Sequence, residues 1–202
     1  MSEIMELAQR CDGMTKNEID KCVADMYRSS FDEHGVSLIE DYSHRVFAIK
    51  PAIDAHRRGE YALSVPMFFA QAEGISFEAL NKYIFTNTKA PGGCVENIRA
   101  AALARIKGSK ANQHESDPFV ICTFMEIMWT PFAEPLPAGY GPKDRTKHKY
   151  DGLNWNTVMH GLDLEYATEE NSLKAFSMLS HVGALLHDLA AEESVFSWYE
   201  KT

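Results

Sequence analysis

Leu153-Asn154-Trp155-Asn156-Thr157-Val158-Met159-His160-Gly161 (LNWNTVMHG), followed closely by LEYATEENSLKAFSML (164–179), is the stretch on which the fold is read. In its second part Thr168 is a helix-capping residue. Beyond it Leu173, Phe176, Leu179, Val182, Leu186 and Leu189 recur at mostly helical intervals, the pattern of a helix with one apolar stripe. In its first part Asn is a common helix-start residue. His followed by Gly suits a helix end, where imidazole faces the carbonyl pole of the helix and Gly takes a positive φ. Residues 153–160 are therefore read as a short helical piece leading into the last helix.

Working outward, helical spacing continues. Thr15 with Glu18 three residues on is a capping box, and Ile19, Cys22, Val23, Met26 and Tyr27 then share a face. Ile39, Tyr42, Val46, Ile49 and Ile53 alternate three and four as in packed antiparallel helices, ending at His56-Arg57-Arg58-Gly59 with cations before a capping glycine. A third helix is expected from about Tyr61 to Tyr83. Its centre, Val65 to Ala70, is apolar on every side, with Pro66 near the start and Gln71, Glu73 and Ser76 as polar residues in a buried stretch. Further helices are expected around Val95–Ile106 and from Asp117-Pro118 through Trp129. Residues 131–151 hold four prolines and read as one long Pro/Gly-rich loop. No period of two and no internal repeat is found. The fold class is all-α, an up-and-down helical bundle in a single domain spanning 1–202.

Composition bounds the function. The 202 residues carry a formal charge of −9, which excludes a surface made for wholesale phosphate neutralisation. One dense basic patch remains, KDRTKHKY (143–150). Four cysteines without a CxxC pair read as reduced thiols. With an acidic N-terminal decapeptide and no long apolar run, the expectation is a cytoplasmic protein with no membrane segment. No phosphate-binding or dinucleotide glycine pattern, nucleophile elbow or paired Glu-x-x-His is present, so no cofactor and no metal is expected.

Three stretches in order resemble HEPN-type domains, helical bundles common among prokaryotic toxins and phage-defence proteins. AHRRGEYALSVPMFFAQAEGI (55–75) is similar to the helix-turn-helix core of one branch, LNWNTVMHG to the signature segment, and LEYATEENSLKAFSML to the tyrosine-containing turn and long helix after it. The resemblance covers about residues 38–190, without a counterpart for about 87–150. It implies metal-independent RNA cleavage in active members, usually across a homodimer interface. There an imidazole moves the proton of the 2′-hydroxyl or leaving oxygen, and an arginine stabilises charge on the phosphate.

Here the His falls at His160 and the polar residue at Asn156, which the resemblance makes the catalytic acid–base group and a phosphate-side donor, while Trp155 stands in the Arg position. An indole supplies neither the charge nor the paired donors of a guanidinium. The resemblance therefore implies an RNA-binding or ribonuclease-type domain with weak or no catalysis. Asn154, Trp155 and Glu73 are binding candidates, and Arg145 or Lys149 stand in for the missing charge. Glu73 is singled out because a carboxylate in an apolar helix is paired or has a raised pKa. Two alternatives stay open. One is a non-enzymatic helical dimerisation or interaction module using Trp155. The other is an HD-type phosphohydrolase, because ALLHDL (184–189) looks like that family's metal-binding step at His187-Asp188.

Overall fold

The computed structural model describes residues 13–80, 83–85 and 136–190. The helices expected around 95–106 and 118–130, three of the four cysteines and the aromatic residues Phe196, Trp198 and Tyr199 lie outside them. The described regular structure is helical, with no strand among the described residues. Helix α1 spans Lys16–Asp41 and a 3-10 turn spans Ser43–Arg45. Helix α2 (Val46–Arg57) and helix α3 (Tyr61–Leu80) follow. After residue 135 come a 3-10 turn at Pro137–Gly139 and helix α4 (Pro142–His148). The short helix α5 (Trp155–Met159) and the long helix α6 (Glu169–Ala190) complete the set. None of the described helices is long and apolar enough to cross a membrane.

The helix boundaries have local chemical causes. At the start of α1 the Thr15 N–H donates to Glu18 Oε2 at 2.7 Å and the Glu18 N–H donates back to Thr15 Oγ1 at 3.4 Å, the reciprocal bonds of a capping box. Gly59 closes α2 with φ +75°, and His56 and Arg57 lie in that helix's last turn. Thr168 Oγ1 accepts from the Asn171 N–H at 3.2 Å at the start of α6.

Three expectations change. The apolar series from Ile39 to Ile53 is not one helix. Tyr42 leaves α1 with φ −119° and ψ 50°, and a 3-10 turn intervenes, in a stretch where Asp41 and Ser43 favour turns over helix. On α1 the buried residues are Ala24, Phe31 and Leu38, together with Gly35, while Ile19 and Met26 stay 37% and 39% exposed. Small residues that admit a neighbouring chain carry little weight in a count of large apolar ones, which is why the sequence pattern selects the adjacent face. The expected long loop is also interrupted by α4. Pro142 occupies its first turn, where a missing N–H removes no helical bond, and Lys149 ends it in the left-handed conformation (φ 50°).

The fold groups into two compact units, Met1–Gln71 with Leu164–His181, and Ala72–Asp163 with Val182–Thr202. In the first unit Phe176 sits in an aromatic cluster, with ring centroids 4.3 Å from Phe31, 5.3 Å from Phe68 and 6.1 Å from Tyr27. Burying such a ring contributes about 1.5–3 kcal/mol relative to leaving it in water. A polar chain runs through the same unit: His56 Nδ1 lies 2.8 Å from Ser172 Oγ, which lies 2.6 Å from Ser64 Oγ. Both serines are fully buried, and the bonds satisfy hydroxyls that would otherwise destabilise the core. The Val65–Ala70 stretch of α3 is not enclosed on every side, since Met67 is 38% exposed, while Val65, Phe68 and Phe69 are buried. The stripe of α6 from Leu173 to Leu186 is buried as its spacing requires.

Candidate functional site

The second unit holds the LNWN segment, and its polar residues first build structure. Asn154 is wholly buried. Its Oδ1 accepts the Thr157 N–H at 3.1 Å, capping α5, and its Nδ2 donates to the carbonyls of Tyr140 (3.0 Å) and Pro137 (3.2 Å). Asn156 Nδ2 donates to the Gly139 carbonyl at 2.8 Å and the Tyr140 carbonyl at 3.4 Å. Carbonyls only accept, so both amide orientations are set by these partners. Two asparagines thus clamp α5 onto the turn at Pro137–Gly139.

That turn rests in its own place because residue 139 is glycine: a Cβ there would lie 2.8 Å from the Phe85 carbonyl oxygen and 3.0 Å from its Cα. The Phe85 ring in turn stacks on Trp155, centroids 6.1 Å apart, and Trp155 meets His160 edge-on at 6.2 Å. His160 itself ends α5 at φ −94° and Gly161 follows at +66°, so the helix-cap geometry is present. Its side chain is nonetheless exposed.

Beside this frame α4, α5 and the chain between them enclose an open cleft of about 790 Å³. Arg145, Lys149, Asn154, Asn156 and His160 all line it. Among the described residues neither Arg145 nor Lys149 is held in an ion pair, and Arg145 Nε makes only a long 3.4 Å bond to the Tyr150 carbonyl. The remaining two candidates lie elsewhere. Trp155 is half-buried and does not line the cleft. Glu73 is buried on α3, where its Oε1 accepts the Phe85 N–H at 2.7 Å. Burial pushes its carboxyl up from the ordinary value, against the N–H groups of Phe85 and Ile84, which pull it down.

The arrangement changes the role open to Asn156. Its amide hydrogens face the Gly139 and Tyr140 carbonyls, so it has only its amide oxygen, an acceptor, to offer another group. Sequence reasoning also passed over Tyr140, Tyr150 and Thr146 as lining residues. The signal was Gly141-Pro142: read as a helix start, it places Arg145 and Lys149 four residues apart, one turn from each other. Among the described residues no three His, Cys, Asp or Glu side chains gather in a way that could hold a metal ion. Compared with protein-family models, curated proteins and solved structures, the chain matches none.

Proposed function

We propose that the chain is an HEPN-like RNA-binding protein whose cleft beside α4 and α5 takes the sugar–phosphate backbone, with catalysis weak or absent. The observation that carries this reading is the gathering of Arg145, Lys149 and His160 around one cleft in a chain that is otherwise acidic. Guanidinium and ammonium groups without a carboxylate partner among the described residues suit phosphate oxygens, and two cleft tyrosines offer faces for unpaired bases. Where cleavage occurs, His160 serves as the acid–base group. The 2′-oxygen attacks phosphorus, the bond to the leaving 5′-oxygen breaks, and the proton passes to that oxygen. The indole of Trp155 adds no charge to this step, so Arg145 or Lys149 would have to stabilise the phosphate.

A homodimer belongs to the same proposal, supported by Met159 (41% exposed) and Leu162 (70%) on either side of His160. The same two residues favour the rival reading, a non-enzymatic interaction module.

Fluorescence anisotropy with a labelled single-stranded RNA tests the binding reading. Affinity should fall with salt, and Arg145→Ala or Lys149→Ala should each reduce the log–log salt slope by about 0.7. Cleavage is measured in parallel with His160→Ala as control and Trp155→Arg as an attempted gain of function. No binding by wild type, together with no cleavage by wild type or Trp155→Arg, overturns the RNA reading and leaves the interaction module.

A further inference from the structure

The cleft is shaped in part by a residue that does not line it. Glu73 is 94% buried by its 6% exposure, and its Oε1 holds the Phe85 N–H at 2.7 Å. Its other carboxylate oxygen is buried with no hydrogen-bond partner among the described residues. A carboxylate in that position is a poor device for stability alone, because desolvation opposes the charge and half of its acceptor capacity is unused. What the bond does is anchor residues 84–85. From Phe85 two contacts lead to the cleft. Its ring stacks on Trp155 at 6.1 Å, and Trp155 meets the His160 ring edge-on at 6.2 Å. Its backbone lies so close to Gly139 that no side chain fits there, and the Gly139 carbonyl is the 2.8 Å acceptor of Asn156.

We infer that Glu73 is the positioning residue of the cleft: it fixes Phe85, and Phe85 fixes both Trp155 with His160 and the turn that Asn156 clasps. Both contacts end on α5 and its cap, so displacing Phe85 moves the imidazole and the clasp together. The consequence for RNA rests on the binding reading above. The consequence for the His160 and Trp155 environments does not.

Three variants separate the possibilities. Glu73→Leu removes the acceptor at similar volume. Glu73→Gln keeps an amide oxygen for the Phe85 N–H and should restore the wild-type behaviour. Phe85→Leu leaves the backbone bond to Glu73 and removes the ring. Two readouts need no RNA: the His160 imidazole Cε1–H cross-peak, and the emission of Trp155 in a chain carrying Trp129→Phe and Trp198→Phe. Glu73→Leu and Phe85→Leu should shift both signals, and Glu73→Gln should leave them near wild type. RNA affinity should follow, falling about tenfold in the first two variants.

Unchanged His160 and Trp155 signals in a folded Glu73→Leu chain overturn the inference. Should that variant fail to fold, Phe85→Leu decides, and unchanged signals there overturn it equally. Shifted signals in a protein whose wild type binds no RNA support the positioning role and remove only the RNA reading.

Discussion

Replacing Asn154 probes the frame of the cleft most directly, because one side chain makes three bonds of two kinds. Its oxygen caps α5 through the Thr157 N–H, and its nitrogen serves the Tyr140 and Pro137 carbonyls, all at 3.0–3.2 Å. Loss of an N-cap costs about 1 kcal/mol. Each bond lost to a carbonyl costs about 1 kcal/mol more, although the Pro137 carbonyl keeps the Tyr140 N–H and the Tyr140 carbonyl keeps Asn156 Nδ2. Asn154→Ala should therefore destabilise this region by about 3 kcal/mol, the sum of those three losses. Asn154→Ser retains a capping oxygen and should cost about 1 kcal/mol less than Ala. Asn154→Asp is the decisive comparison. It keeps the cap but sets a carboxylate oxygen against two carbonyl oxygens, so it should be at least as damaging as Ala despite being nearly isosteric. The assay is local: amide hydrogen exchange across residues 153–163, with urea unfolding as the global measure. If Asn154→Asp protects those amides as well as wild type does, the amide nitrogen is not holding the turn and the account of the clamp fails.

Lys149 should trade stability against binding. It ends α4 at φ 50° and ψ 40°, a conformation that strains a residue with a Cβ. Lys149→Gly should stabilise the end of α4 by about 0.5–1 kcal/mol while weakening RNA binding. A loss in both thermal unfolding and anisotropy assays would contradict the strain argument. His56 should make the first unit sensitive to acid. Burial holds its pKa below 6.5, with Arg28 and Arg57 acting the same way and Glu169 opposing. The unfolded chain then takes up the proton first. This contribution to stability is complete above 6.5 and is lost as the pH falls from there through the folded-state value. The unfolding midpoint should drop between about pH 7.5 and pH 5, more steeply in wild type than in His56→Gln, and equal slopes would refute the assignment.

The sequence alone determined the helical class, through apolar spacing on α6 and α2, and several helix ends. Thr15 with Glu18, Gly59 and Thr168 are capping devices that act within one turn, so their chemistry is complete in the local sequence. It also singled out Glu73 as a polar residue in an apolar helix, while its burial, rather than exposure on a polar strip with Gln71, came only from the tertiary structure. Tertiary structure decided what depends on partners far along the chain. Ala24 and Gly35 show their buried positions only when a neighbour comes close. Asn154 and Asn156 read as helix-start or site residues until the carbonyls of Pro137, Gly139 and Tyr140 claim their amides. LNWNTVMHG thus announces a helix start and a helix end by itself. That its His160 shares a cleft with Arg145 and Lys149, while Trp155 stacks on Phe85, follows from hydrogen bonds and ring contacts that no local pattern encodes.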